Sequence, residues 1–296
     1  MTYRGRFAPS PSGPLHIGSI VSAVGSWCAA KSRQGKWLLR IDDLDTVRSK
    51  LIAIDQIQLT LEKLGLEWDE PVVFQSRNIK NYSDALAGLK RLDLVYQCAC
   101  SRKDILRASL NTGVDGPIYR GTCKEKNIED IPSTSTRVIV TNEQISFHDT
   151  LRGTLESKPS RDFGDFIVKR ADGIYSYHLA TVIDDYQMRV THIVRGADLL
   201  NSSFRQAYLM GKLNYSQPTY CHLPLVLNTQ GKKISKTEFA NPVDTKHPSK
   251  VLHKALSFLG QNPPDELKNY PKNILLNWAV SHWCEEKIER IKAKNK

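Results

Sequence analysis

A proline- and serine-rich turn near the start of the chain has the composition of a phosphate-binding site. Residues 6–19 read RFAPSPSGPLHIGS. We expect a short strand over residues 3–8 to lead into the turn, and a helix to begin at about residue 17. The backbone N–H groups at a helix start converge on one point and suit a phosphate. His16 can donate a hydrogen bond to a phosphoryl oxygen, and Gly18 lets a nucleotide ring approach the backbone.

A second basic segment lies late in the chain, where residues 231–237 read GKKISKT. Two lysines three residues apart, with a glycine before them, suit a loop that closes on a triphosphate. Lysine is a compact charge that can follow the negative charge developing on leaving pyrophosphate. The alternative interpretation of this segment alone is a solvated basic loop.

Taken together, the two segments resemble the paired ATP signatures of class I aminoacyl-tRNA synthetases. Ser19 stands where the fuller pattern has a second histidine, a replacement found in the glutamate and glutamine branch of that family. The opening turn also resembles that branch, as do residues 40–45 (RIDDLD), 177–185 (YHLATVIDD) and 193–196 (IVRG). The resemblance spans residues 4 to about 240.

The resemblance implies an ATP site with catalytic roles for His16 and Lys236. The ATP residues it implies are His16, Gly18, Ser19, Lys233, Ser235 and Lys236. ATP would enter with Mg²⁺ as a substrate, and glutamyl-adenylate would form.

The resemblance also implies a glutamate site made of Arg6, Phe7, Ala8, Pro9, Ser10, Asp42, Tyr177 and Arg195. Arg6 and Arg195 can each hold a carboxylate through two parallel N–H bonds. Asp42 can hold the α-ammonium group, and because the family usually has the longer glutamate there, we expect a longer or water-bridged contact. Thr181 stands where many relatives have asparagine, and we assign it no contact. Four further carboxylates are interpreted as surface ion pairs or helix caps, namely Asp43, Asp45, Asp184 and Asp185.

Three cysteines cluster in the middle of the chain, at Cys98, Cys100 and Cys123. Three thiolates suit a tetrahedral zinc site that needs one more ligand, whereas buried cysteines without a metal are the alternative. Small paralogues of glutamyl-tRNA synthetase carry this pattern, and the resemblance implies Tyr119 as the fourth ligand of a structural zinc. Water, His148 and Asp104 stay open as alternatives to Tyr119.

The order of the predicted elements indicates an α/β fold. A strand over residues 37–41 and a helix over about 49–64 complete a strand–helix–strand–helix opening, which is typical of a parallel sheet. We therefore expect a Rossmann-like parallel sheet of the class I type, with an inserted zinc-containing α+β region and a short helical C-terminal region. The predicted boundaries are 1–69 and 175–240 for the two catalytic halves, 70–174 for the insertion and 241–296 for the helical region.

Charge and length bear on the partner. The 296 residues carry a formal net charge of +11, which favours a polyanionic partner such as nucleic acid, although solubility alone can also account for it. The absence of a long apolar run and of a secretory signal predicts a cytoplasmic protein without a membrane contact. Six cysteines are then expected to be reduced.

The chain ends soon after the lysine segment, whereas a standard glutamyl-tRNA synthetase continues into a helical anticodon-binding region. It therefore resembles the truncated paralogues that form the glutamyl-queuosine tRNA(Asp) synthetase family. The resemblance implies L-glutamate, ATP and the anticodon arm of tRNA(Asp) as partners, with transfer of glutamate to queuosine, and we expect a monomer. Three alternatives stay open: a truncated synthetase that charges the tRNA 3′ end, a non-catalytic RNA-binding relative, and an amino-acid ligase acting on a small molecule.

Overall fold

A computed structural model describes residues 2–47, 49–109, 112–113, 115–126, 128–226 and 243–288. The lysine segment lies outside the described residues, and with it three of the predicted ATP residues, Lys233, Ser235 and Lys236.

The N-terminal elements alternate between strand and helix, as the hydrophobic pattern predicts. They are β1 (Arg4–Phe7), α1 (Ile17–Lys31), β2 (Lys36–Ile41), α2 (Leu51–Leu64) and β3 (Val73–Phe74). Strands β1 and β2 pair in parallel, as do β2 and β3. Helix α2 ends where Gly65 adopts a φ of 75°, a left-handed conformation that costs glycine little.

The middle of the chain is built from short elements. These are α3 (Ile79–Arg91), β4 (Val95–Cys98), α4 (Arg102–Ala108), β5 (Thr112–Gly113), β6 (Gly116–Pro117), β7 (Ser135–Val138), β8 (Ile145–Asp149), β9 (Gly153–Ser157), α5 (Pro159–Asp162) and β10 (Phe166–Lys169). Strands β10, β7 and β4 form an antiparallel sheet in that order.

The parallel pattern returns in the last third of the chain. Its elements are α6 (Tyr177–Gln187), β11 (His192–Gly196), α7 (Leu200–Lys212), β12 (Thr219–Leu223), α8 (Pro248–Phe258) and α9 (Lys272–His282). Strands β11 and β12 pair in parallel. The backbone N–H of Thr191 donates to the carbonyl of Arg4 at 2.9 Å, which brings β11 beside β1 and joins the two halves of the catalytic sheet.

Two pieces of the predicted insertion pair with the parallel strands. Strand β3 lies beside β2, and the β8–β9 hairpin lies beside β12 through the pairing of Tyr220 with Asp149. The four predicted boundaries stay a prediction.

The main core forms around α1, which packs against β1, β2, β11, α8 and α9. Its side chains Ile20, Val24 and Cys28 are completely buried. On α9 the buried face consists of Leu275, Leu276 and Ala279, whereas Ile274 is exposed, so the expected Ile274 contact is wrong. No helix of the described ranges is long and apolar enough to cross a membrane.

Candidate active site

The described residues predicted to bind glutamate and ATP meet at the carboxyl ends of β1 and β11. In parallel sheets this edge is where ligands usually bind. A cavity of about 400 Å³ lies there. Its lining includes Arg6, Phe7, Ala8, Pro9, Ser10, His16, Gly18, Ser19, Tyr177 and Arg195. Asp42 lines a larger adjoining cavity of about 890 Å³, and Ser10, Ser12 and Tyr177 line both cavities.

Arg195 is a buried cation whose partners are neutral. Only 5% of it is exposed, and its Nη2 donates to Ser203 Oγ at 2.7 Å and to Gln206 Oε1 at 2.8 Å. Its Nη1 lies 3.4 Å from the hydroxyl of Tyr177. Within the part of the chain that the structure describes, no carboxylate pairs with Arg195. A buried guanidinium of this kind is stabilised by an anionic ligand.

A buried histidine and aspartate support Arg195 from behind. His222 Nδ1 lies 2.7 Å from Asp149 Oδ2, and His222 Nε2 lies 3.3 Å from Arg195 Nε. Burial lowers the pKa of His222 to about 4, so the ring is neutral at pH 7. Burial opposes ionisation of Asp149, yet the hydrogen bond and charge of His222 hold its pKa below the usual value. The neutral ring therefore donates from Nδ1 to the carboxylate and accepts from Arg195 at Nε2.

Arg6 lies across the same cavity, and Asp185 holds it. Its Nε and Nη2 donate to the two oxygens of Asp185 at 3.1 and 3.2 Å. Asp185 also accepts from Arg40 Nη1 at 2.6 Å. Burial opposes the charge of Asp185, but Arg6 and Arg40 keep its pKa below the usual value. Arg6 is therefore fixed by a protein carboxylate, unlike Arg195.

Asp42 is joined to Arg40, which is completely buried. The two groups are 2.6 Å apart between Asp42 Oδ1 and Arg40 Nε. Burial raises the pKa of Asp42 to about 6, although Arg40 opposes the shift. Asp42 is therefore mostly ionised at pH 7. Its backbone N–H donates to the Pro9 carbonyl at 3.0 Å, which ties it to the opening turn.

The surface interpretation of Asp184 and Asp185 is wrong, because both are buried. Asp184 accepts hydrogen bonds from Gln75, Asn78 and Tyr82, and its pKa is raised, chiefly by burial. Two further carboxylates also have defined roles. Asp43 is buried and accepts from Ser76, whereas Asp45 pairs with Arg170 at 3.2 Å and lies nearer the surface.

His16 is the N-cap residue of α1, directly at the cavity. Its Nδ1 accepts a hydrogen bond from the Ser19 N–H at 3.3 Å, so a neutral ring carries its proton on Nε2. A Cβ atom at Gly18 would lie 3.0 Å from Cε1 of His16, so a larger residue there would displace the ring. The helix start therefore offers backbone N–H groups and an N–H donor from the histidine to an anion.

The three clustered cysteines converge on one point with Tyr119. The Sγ atoms of Cys98, Cys100 and Cys123 all lie within 4.8 Å of one another. The Tyr119 hydroxyl lies 3.2 Å from Cys98 Sγ and 3.4 Å from Cys100 Sγ. Three thiols around one phenol oxygen make a donor set that fits a tetrahedral zinc ion.

The other suggested zinc ligands do not belong to this group. Neither Asp104 nor His148 is part of the cluster among the described residues. The carboxylate of Asp104 instead accepts from the N–H and hydroxyl of Ser101 and caps α4.

Comparison with known proteins places this site in a family. The model of tRNA synthetases class I (E and Q), catalytic domain, matches residues 2–267. The chain belongs to this family.

Relatives of this synthetase chain match over almost their full length. It is 42% identical over 289 residues to a protein named Glutamyl-Q tRNA(Asp) synthetase from Dechloromonas aromatica, covering 97% of this chain and 96% of that one. It is 44% identical to a protein of the same name from Aromatoleum aromaticum, covering 97% and 91%.

A solved glutamate-tRNA synthetase from Elizabethkingia anophelis has the same fold. It superposes with a TM-score of 0.79 at 22% identity, covering 97% of this chain and 67% of that chain. The predicted class I α/β fold with a parallel sheet is thus confirmed.

Sequence reasoning missed several residues of this synthetase site, namely Arg40 and Asp185 in the ion-pair network and Asp149, Ser203, Gln206 and His222 around Arg195. One signal was available in advance. Arg40 interrupts the apolar run of β2, and a charge inside a buried strand requires a buried partner.

Proposed function

We propose that this protein activates L-glutamate with ATP and transfers it to the queuosine base in the anticodon of tRNA(Asp). The observation that carries the proposal is Arg195, buried at the cavity and without a carboxylate among the described residues. The names of relatives at 42–44% identity support the choice of glutamate as amino acid and of queuosine as acceptor.

The charges around the cavity suit a dicarboxylic amino acid. Arg195, with Tyr177 beside it, offers a guanidinium to one carboxylate of glutamate. Behind Asp42, the three carboxylates of Asp42, Asp184 and Asp185 face two guanidinium groups, those of Arg6 and Arg40. The surplus negative charge suits the α-ammonium group of glutamate. Glutamine would leave Arg195 without a charged partner.

The reaction then has two steps. The α-carboxylate of glutamate attacks the α-phosphorus of Mg²⁺-bound ATP, and pyrophosphate leaves. A hydroxyl of the queuosine cyclopentene ring next attacks the glutamyl carbonyl, and AMP leaves. His16 and the start of α1 stabilise the phosphate charge, with Lys236 assigned the same task from sequence. Catalysis is mostly orientation and charge stabilisation.

The cysteine cluster is proposed to hold one structural zinc ion, with Cys98, Cys100, Cys123 and Tyr119 as ligands. The convergence of three thiols and one phenol supports this assignment. The ion would join the end of β4 to the segment that carries Tyr119 and Cys123 and so fix the middle of the chain. We further infer a cytoplasmic monomer that meets the anticodon arm of tRNA(Asp).

The test is to map the nucleotide that receives glutamate. The protein is incubated with Mg²⁺-ATP, radiolabelled glutamate and tRNA(Asp) that contains queuosine, and the RNA is then digested with nucleases. We expect the label on the anticodon nucleotide, with none on matched tRNA(Asp) that lacks queuosine. Label on the terminal adenosine contradicts the proposal, and a labelled small molecule formed without RNA points to a different ligase.

A further inference from the structure

The larger cavity beside the glutamate site has no part in glutamate activation. Its volume of about 890 Å³ is more than twice that of the neighbouring cavity, at about 400 Å³. The two share Ser10, Ser12 and Tyr177 as lining residues, and Asp42 lies on the larger one. A group bound in the larger cavity can therefore meet a glutamyl group held at the shared wall.

Arg137 gives this cavity a second buried cation with neutral partners. The residue is 5% exposed, and its Nη1 donates to the backbone carbonyl of Asp165 at 2.9 Å. Its guanidinium lies 4.0 Å from the ring centre of Tyr119. Its Nε is buried and has no hydrogen-bond partner among the described residues. Such a donor is costly to bury unless a ligand supplies an acceptor.

The remaining walls suit a planar heterocycle and its phosphates. Phe163, Phe166 and Tyr175 supply aromatic surface, and Arg170 and Arg205 supply two further guanidinium groups. Arg205 pairs with Asp115 and lies over the ring of Phe163 at 5.0 Å. Unstacked bases of RNA bind in this way, on aromatic faces and with arginines at the base edge or phosphate.

We infer that the larger cavity receives the RNA nucleotide that accepts glutamate, with its base taken out of the loop stack. This inference rests on the proposed function and assigns the acceptor its site. Arg137 donates to the carbonyl oxygen on the edge of a guanine-like base, the commonest contact of arginine with guanine. The ring hydroxyls of the base then face the shared wall, where Ser10 and Tyr177 adjoin the activated glutamate.

The experiment separates the two half-reactions in Arg137→Gln and Arg205→Gln. Glutamate-dependent ATP–pyrophosphate exchange measures activation, and labelling of queuosine-containing tRNA(Asp) measures transfer. We expect the ratio of transfer to exchange to fall about tenfold or more, the scale of one lost base contact. Arg161→Gln is the matched control, since Arg161 is 72% exposed, pairs with Asp162 and lies off the cavity. Its ratio should equal that of the wild type.

Zinc content and the unfolding midpoint identify a variant that has failed to fold, and Arg205→Gln, whose side chain is held by one ion pair, then decides. An unchanged ratio in folded variants overturns the inference, as does equal loss of exchange and transfer in both. Wild-type label on the terminal adenosine overturns the proposed function instead, and the same ratio then judges the cavity for that acceptor. Absence of exchange in the wild type overturns both.

Discussion

Arg6 and Asp185 are 179 residues apart in the chain and share two hydrogen bonds, of 3.1 and 3.2 Å. The same carboxylate accepts a third from Arg40 at 2.6 Å. Asp185 thereby ties β1, β2 and α6 together directly behind the candidate glutamate site. Because all three groups are buried, the bonds are poorly screened by solvent and fix the position of Arg6.

Asp185→Asn should destabilise the protein strongly. The amide leaves Arg6 and Arg40 buried without their shared negative charge, and removing one partner from such a group costs about 3–5 kcal/mol. Urea unfolding measures the loss. Asp84→Asn is the control, since Asp84 pairs with Lys80 on the surface of α3, and it should change little. Equal losses in the two variants would contradict the role given to Asp185.

Arg195→Lys should weaken glutamate binding while ATP binding persists. Lysine keeps the charge but loses the planar fork, and we expect the KM for glutamate to rise by about 10- to 100-fold. The exchange assay measures this KM, with the KM for ATP as internal reference. The exposed Arg161→Lys serves as control. A glutamate KM equal to that of the wild type argues against a carboxylate at Arg195.

The buried histidines predict a loss of stability in acid. Burial lowers the pKa of His222 to about 4 and that of His178 to about 3, against 6.5 for an exposed histidine. The unfolded chain therefore takes up protons first, and the free energy of unfolding should fall as the pH drops from about 6.5 to 4. Asp42 acts in the opposite direction, since its raised pKa of about 6 favours the fold at low pH.

His222→Gln isolates one contribution to this pH dependence. The variant should flatten the decline in unfolding free energy between pH 6.5 and pH 4, measured by urea titrations across that range. Whatever the variant costs at pH 7, only the slope is at issue. A slope as steep as that of the wild type would show that His222 is not held neutral by the fold.

Cys98→Ser should release the proposed zinc and loosen the middle of the chain. Thiolate ligation of a structural zinc contributes directly to folding, so loss of one ligand lowers both metal content and the unfolding midpoint. Elemental analysis of the purified protein should find one zinc per wild-type chain. Cys284→Ser, which lies outside the cluster, should retain it. Wild-type protein purified without any zinc rules out the metal site.

The sequence predicts the local elements well where the signal is short-range. The spacing of Ile20, Val24 and Cys28 marks the buried face of α1, and Gly65 marks the end of α2 by its left-handed conformation. The convergence of Arg6, His16 and Arg195 followed from the resemblance, because separate motifs of one family share one site.

Long-range partners of buried charges could not be read in the same way. Nothing local indicates that Arg40 pairs with Asp185 across 145 residues, and acidic residues on a helix usually face solvent. The β8–β9 hairpin is another example, since its alternation predicts strands but leaves its neighbour β12 undetermined. Both features depend on how distant elements pack.

Glutamate-dependent ATP–pyrophosphate exchange tests the central claim most directly, because it asks whether one pocket holds a dicarboxylic amino acid against ATP. With magnesium, ATP and labelled pyrophosphate, we predict exchange with L-glutamate and little with L-glutamine, which cannot neutralise Arg195. Exchange as fast with glutamine as with glutamate would contradict the account, and so would no exchange with either.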